Sequence, residues 1–229
     1  MIKGAIFDLD GTLYDYAAND AIAMKHLCAC AKERLGVEEE DFLDAYREAK
    51  KLVKTRLTEG PSQHSRLLFC QTALELLEVN PFDHVPELYE AYWGSFLAHI
   101  APFDGVIGML QHLKASGIHT AVCTDMTAHI QYRKIRHLGL SDYIDALVTS
   151  EETGLEKPAP VMFQRTLKKL GLKPGDAVYV GDSLEKDVMG AAACGLRAVW
   201  FVAERTVPED LPYPKLRSYR DDAWKELLL

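Results

Sequence analysis

Between Gly105 and Val202 the chain alternates helical and strand patterns, and this alternation limits the fold more than any other feature. Apolar spacing predicts a helix over residues 106–116 stopped by Gly117, a strand over 118–123, and a helix over 127–138 ended by Gly139. A short strand within 143–149 follows, then a helix over 161–170 with Pro160 in its first turn. A strand over 176–180, a helix over 184–194 stopped by Gly195, and an almost wholly apolar strand over 196–202 complete the pattern. Strands joined by helices pair in parallel, and the helices cover both faces of the sheet. The N-terminal run with Ile2, Ala5, Ile6 and Phe7 supplies a first strand for the same Rossmann-like α/β core.

After Tyr14 the pattern turns helical and stays so up to Ala101-Pro102. Met24, Leu27, Cys28, Ala31 and Leu35 form one stripe, closed by Gly36. Phe42, Ala45, Tyr46, Ala49, Leu52 and Val53 form a second, ending near Gly60-Pro61. Leu67, Cys70, Leu74 and Leu77 form a third, and Val85, Leu88, Tyr89, Tyr92 and Phe96 a fourth. Four such helices on short loops form a bundle. The expected organisation is a core of residues 1–14 and 102–229 with a helical-bundle insert of residues 15–101. Past Ala203, Pro208, Pro212 and Pro214 argue for an irregular path, with a short last helix over 221–229.

At 229 residues the chain can bury a sizeable core. Its net charge of −8 offers no basic field for nucleic acid, and no apolar stretch reaches membrane-span length. The five cysteines are odd in number and scattered, with Cys28 and Cys30 on different faces of one helix, so reduced thiols and a cytoplasmic location are expected. Monomer and homodimer both stay open.

The chemistry gathers where strands end. Asp8 and Asp10 stand two apart at the end of the first strand, with Gly11 to turn the chain. Two crowded acids cost free energy unless a cation compensates them, and hard cations such as Mg2+ prefer oxygen ligands. In open α/β sheets ligands bind beyond the carboxyl ends of the strands. There the later strands deliver Thr124 and Asp125, then Gly181, Asp182 and Ser183 with Asp187 further on, and a loop brings Glu156-Lys157-Pro158. Each has a plainer reading. Asp182 or Ser183 can cap a helix, Asp187 can be a helix-end acid, and Lys157 alone can be a solvated lysine.

Asp8-Leu9-Asp10-Gly11-Thr12-Leu13 resembles the opening motif of the haloacid dehalogenase superfamily. Thr124, Lys157 in Glu-Lys-Pro, and Gly181-Asp182-Ser183 with Asp187 match its other motifs in order, and the helical insert resembles the cap of one subgroup. The resemblance implies a Mg2+-dependent phosphatase acting on a small phosphorylated metabolite, a nucleotide or a sugar phosphate. It implies Asp8 as the nucleophile that forms an aspartyl-phosphate and Asp10 as general acid and base. Thr124 and Lys157 would stabilise the transferring oxygens. Asp8, the Asp10 backbone carbonyl, Asp182 and Asp187 would hold the metal. A phosphomutase of the same family and a catalytically silent binding module are the alternatives. A dehalogenase would need neither Mg2+ nor the second acid. Thr12 is expected to bond the loop through its hydroxyl. One departure stands out: Asp125-Met126 follows Thr124, where similar proteins carry Asn, often followed by Gly. Asp125 is expected to cap the helix beginning near Thr127. Substrate choice is expected in the cap; His64 and Arg66, with Tyr14 and Tyr16, are weak candidates for substrate contacts, and so is Asp125 in the core. The loop Gly60–Arg66 would lie either over the site or on the surface, and hinges are expected at residues 14–17 and 101–104.

Overall fold

A computed structural model describes every residue except Met1, Glu59 and Asp221. The chain divides into two compact units, Met1–Asp15 with Ala101–Leu229, and Tyr16–Ile100.

The first unit is built on a six-stranded, wholly parallel sheet. Its strands are β1 (Gly4–Phe7), β2 (His119–Thr124), β3 (Ala146–Thr149), β4 (Ala177–Gly181), β5 (Arg197–Phe201) and β6 (Lys215–Leu216), in the order β3-β2-β1-β4-β5-β6. The order reverses between β1 and β4, and in such sheets that reversal opens a crevice at the carboxyl ends. Phe7 pairs with Val122 on one side and Val180 on the other, so Asp8, Thr124 and Gly181 end neighbouring strands close to one level. Every residue of β1 and β4 is buried, as a sheet covered on both faces requires. On one face Ile6, Ala121, Cys123 and Val148 meet Met162, Phe163 and Leu167.

Three local differences from expectation have physical causes. β6 forms inside the proline-rich tail, where an irregular path was expected. It is only two residues long, pairing Trp200 with Lys215 and Phe201 with Leu216, too short to leave a pattern. A four-residue helix, Ser150–Thr153, follows β3, begun by Thr149, whose Oγ1 accepts from the Glu152 N–H at 3.3 Å. The helix expected over 184–194 instead starts as a π-type stretch, Leu184–Met189, and continues as Gly190–Ala193. Val188 donates to the Ser183 carbonyl five residues back at 3.2 Å. Single π turns inside helices recur at functional sites. At the chain end Ala223–Leu228 is helical; Asp221, where the last helix was expected to start, lies outside the described residues.

The second unit is helical: α1 (Tyr16–Leu35), α2 (Glu39–Arg56), α3 (Arg66–Leu76) and α4 (Val85–His99). α1 packs on α4, and α2 on α3. α1 starts well before its apolar stripe, because its first two turns bury only Asn19 and Ala23. The segment Gly60–Arg66 is not an open loop: Pro61–His64 is a 3-10 turn, Ser65 caps α3 by accepting from Leu68 N–H at 3.4 Å, and Arg66 is buried in the helix's first turn. Among the described residues no helix is long and apolar enough to cross a membrane. None of the five cysteines is in a disulfide, and Cys28, Cys70 and Cys123 are buried.

Candidate active site

The sheet carries the chain one residue past β1, since the Asp8 N–H donates to the Val180 carbonyl at 2.9 Å. Asp8 is 4% exposed. The next residues turn back: Thr12 and Leu13 donate to the Leu9 carbonyl at 3.3 and 3.1 Å, with Gly11 at φ +85°. A side chain there would be strained, and its Cβ would stand 3.0 Å from an Asp182 carboxylate oxygen. The Thr12 hydroxyl donates to Asp8 Oδ2 at 3.3 Å, and Thr12's own carbonyl accepts from the Tyr219 hydroxyl at 3.1 Å.

Asp8, Asp182 and Asp187 come together, with one oxygen of each within 4.8 Å of the others. Two features place Asp187. The π turn draws it back toward Ser183, whose N–H donates to Asp187 Oδ2 at 3.0 Å. Gly181 leaves the room it needs, because a Cβ at that position would fall 2.4 Å from the Asp187 Cβ. Ser183, not Asp182, caps the turn, accepting from the Lys186 N–H at 3.2 Å. The Asp182 carboxylate faces Arg205 at 3.4 Å. Three buried or half-buried carboxylates at such spacing suit a divalent cation, which takes oxygen ligands.

Lys157 enters the same cluster from the loop before the helix Pro160–Leu170. It is 4% exposed, and its ammonium donates to Asp8 Oδ1 and to Asp187 Oδ1, both at 2.6 Å. The Tyr179 hydroxyl, on β4, donates to Asp187 Oδ1 at 3.0 Å and lies 3.3 Å from the same ammonium. Burial pushes the Asp8 carboxyl well above the usual range against the pull of Lys157, and neighbouring Asp187 and Asp182 add to the push. Burial and Asp187 raise Asp182 to about 6. Lys157, although buried, is held firmly charged by Asp187 and Asp8.

Asp10 stands apart from that trio. Its carboxylate accepts from Lys134 Nζ through both oxygens at 2.8 Å, from Gln131 Nε2 at 3.3 Å and from the Tyr14 hydroxyl. Against its burial these donors hold it below the usual carboxylate range. Gln131 also donates to Thr124 Oγ1 at 2.8 Å. Lys134 and Gln131 belong to α6 (Ala128–His137), the helix that follows α5 (Val106–Ala115) and β2, and both are wholly buried. The sequence reading did not single them out. The signal was there: they are three apart, on one helix face, beside the apolar Ile130 and Ile135.

Asp125 does not cap α6, contrary to expectation. The Ala128 N–H at that helix start goes to Glu151 at 2.7 Å. Asp125 instead accepts from the Lys157 N–H at 3.0 Å and pairs with Lys186 at 3.1 Å, and Lys186 also reaches Glu156. The extra acid beside Thr124 is therefore neutralised locally and braces the Lys157 loop. His64 and Arg66 lie in the helical unit. The Arg66 guanidinium is bound to the Tyr16 and Tyr92 hydroxyls, to Asp20 at 3.5 Å and to the His64 carbonyl at 3.0 Å. Tyr14 is on Asp10, and Tyr16 on Arg66.

A family model of haloacid dehalogenase-like hydrolases matches residues 2–195. The chain belongs to this family. It is 37% identical over 203 residues to a ribulose-1,5-bisphosphate 5-phosphatase of Halopiger xanaduensis, covering 88% of this chain and 85% of that one. It is 33% identical over 219 residues to a glyceraldehyde 3-phosphate phosphatase of Pyrococcus furiosus, covering 95% and 88%. Among solved structures, a 2-haloacid dehalogenase of Pseudomonas syringae superposes with a TM-score of 0.75 at 25% identity, over 99% of this chain and 98% of that one. A phosphatase structure from Thermococcus onnurineus superposes with a TM-score of 0.71 over 99% and 98%, and at 24% identity that likeness speaks for the fold. The family and these relatives together make the protein a phosphoric monoester hydrolase.

Proposed function

We propose that the chain hydrolyses a small sugar-phosphate monoester, with Mg2+, in two steps through an aspartyl-phosphate on Asp8. The observation that carries the reading is the separation of the two acids of the first motif. Asp8 is gripped by Lys157 and Thr12 inside the acidic trio, while Asp10 is held on Lys134 and Gln131. Two carboxylates in unlike environments suit two unlike roles.

In the first step an Asp8 oxygen attacks phosphorus, the bond to the leaving oxygen breaks, and Asp10 gives that oxygen a proton. In the second, Asp10 takes a proton from water, which attacks phosphorus and breaks the bond to Asp8. The Thr124 hydroxyl and the Lys157 ammonium stabilise charge on the transferring oxygens. Asp8, Asp182 and Asp187, with the Asp10 backbone carbonyl, would hold the cation. When bound, that cation would draw Asp8 and Asp182 back to their ionised forms and offset charge on the phosphoryl group.

Residues 1–14 and 102–229 are assigned the chemistry, and residues 15–101, as a cap, the choice of substrate. The sugar-phosphate class rests on the names of the relatives at 37% and 33% identity. A cytoplasmic location belongs to the same reading, supported by five thiols outside any disulfide.

The test is phosphate release from a panel that includes ribulose 1,5-bisphosphate, glyceraldehyde 3-phosphate and 4-nitrophenyl phosphate, with Mg2+ and with chelator. Asp8→Asn is expected to abolish release on every substrate the wild type accepts. Undiminished turnover in that variant removes Asp8 as nucleophile, and a wild type inert on the whole panel favours a silent binding module.

A further inference from the structure

A lysine with no exposed surface is an expensive thing to place beside a reaction centre, because desolvating its charge is costly unless a carboxylate answers it. The core buries two. Lys157 was legible as a motif residue. Lys134 was not. Its ammonium binds Asp10, with one bond of 2.8 Å to each carboxylate oxygen. An ammonium equidistant from both oxygens sits on the carboxylate bisector and fixes its position, while the off-axis bonds from Gln131 to Oδ2 and from the Tyr14 hydroxyl to Oδ1 fix its plane. One turn earlier on α6, Gln131 uses the same Nε2 to reach Asp10 Oδ2 at 3.3 Å and Thr124 Oγ1 at 2.8 Å. The Asp125 carbonyl takes a third contact from that nitrogen at 2.9 Å. One buried helix face thus ties the end of β1 to the end of β2.

We infer that Lys134 is a positioning residue, supported by Gln131: it seats the Asp10 carboxylate at a fixed distance from the Thr124 hydroxyl and away from Asp8. The inference rests on the reading of Asp10 as acid and base given above. Its physical content is that proton delivery to a leaving oxygen tolerates little misplacement, since donor and acceptor must meet at hydrogen-bond distance as the bond breaks. Without Lys134, Asp10 would take up a proton more readily, since that ammonium favours the carboxylate form, but it would lose the contact that seats it, and the lost position is the effect that dominates. Phosphoryl transfer itself, carried by Asp8, Thr124 and Lys157, would keep its parts. Lys134 acts on the reaction through Asp10, so its effect appears through the proton and not through the phosphoryl group.

That distinction is measurable with the whole 229-residue chain, Mg2+ and a series of substituted phenyl phosphates of nearly equal size. A 4-nitrophenolate leaves without a proton, whereas an unsubstituted phenolate needs one. For Lys134→Met, kcat/KM is expected to fall by about a hundredfold on phenyl phosphate and by less than about tenfold on 4-nitrophenyl phosphate. Gln131→Leu, which keeps the lysine and the helix but also releases the Thr124 hydroxyl, is expected to show the same leaving-group dependence in weaker form on top of a loss common to all substrates, and it keeps the test open if Lys134→Met does not fold. A merely structural role would lower all substrates alike. An equal loss across the series in both variants overturns the inference while leaving the phosphatase reading intact. A wild type that releases no phosphate from any member overturns that reading and this inference with it.

Discussion

Each unit of the molecule buries cations, and the two do so by opposite means. In the core, Lys157 is answered by full carboxylates, Asp8 and Asp187, at 2.6 Å each. Lys134 is answered by Asp10, and Lys186, less buried, by Asp125 and Glu156. In the helical unit, Arg66 is answered mainly by neutral groups. Its guanidinium lies over the rings of Phe69, Tyr92 and Trp93 at 5.2 to 5.7 Å and touches two phenol hydroxyls, with Asp20 at 3.5 Å. Lys presents a compact point charge that suits a cluster of oxygens. Arg presents a flat, weakly hydrated group that stacks on aromatic faces. The core thus concentrates charge where a reaction can use it. The helical unit spreads one charge across rings that also form its centre.

The largest effect expected from breaking this contrast is in the core. Lys157→Met should lower kcat on 4-nitrophenyl phosphate by about a hundred- to thousandfold, the usual cost of losing one stabiliser of transferring oxygens. The same change removes a positive charge from the acidic trio, so divalent-cation binding followed by titration calorimetry should be retained or tightened. Loss of both activity and cation binding would mean that Lys157 holds the site together and does not act on the substrate.

A smaller effect is expected in the helical unit. Arg66→Met should destabilise that unit by about 2–3 kcal/mol, through the lost pairing and stacking, and Arg66→Lys should recover little of it because the fork geometry is gone. Chemical denaturation read by tryptophan fluorescence checks this, Trp93 being the tryptophan that Arg66 faces. Equal stability of wild type and Arg66→Lys would show that charge alone matters there.

The finest measurement separates the two units. Burial raises the thiols of Cys70, in the helical unit, and Cys123, in the core, each to about 12. At pH 8 both should react with an aromatic disulfide reagent about a thousandfold more slowly than an exposed thiol, since only the thiolate attacks. In Arg66→Met the loss of the guanidinium charge raises the Cys70 thiol further, but more frequent opening of the destabilised helical unit outweighs it, so Cys70 should react faster while Cys123 keeps its rate. Equal acceleration of both would mean that the two units open together.

The alternating helices and strands, the doubly wound core and the helical insert were all legible, because each rests on apolar periodicity repeated over many residues. The motif residues at the strand ends were legible for a different reason. Asp8, Asp10, Thr124, Lys157, Asp182 and Asp187 are polar residues placed where a buried run stops, and that pattern stands out in one dimension. The two-residue strand β6 left no such pattern, and the π turn at Leu184–Met189 shares its residue preferences with an ordinary helix. The cap expected of Asp125 failed because choosing between a local backbone N–H and a distant lysine depends on what stands nearby in space. Lys186 lies 61 residues away in the chain and within 3.1 Å of Asp125.

Sequence alone was therefore sufficient for which acids gather at the sheet's edge, since they follow the points where apolar strand runs stop. Tertiary structure alone decided how those acids are shared out among cations. Asp8 went to Lys157, Asp10 to Lys134 and Asp125 to Lys186 across gaps of 149, 124 and 61 residues. Charge pairing acts through space over a few ångströms, so no local spacing along the chain can encode it.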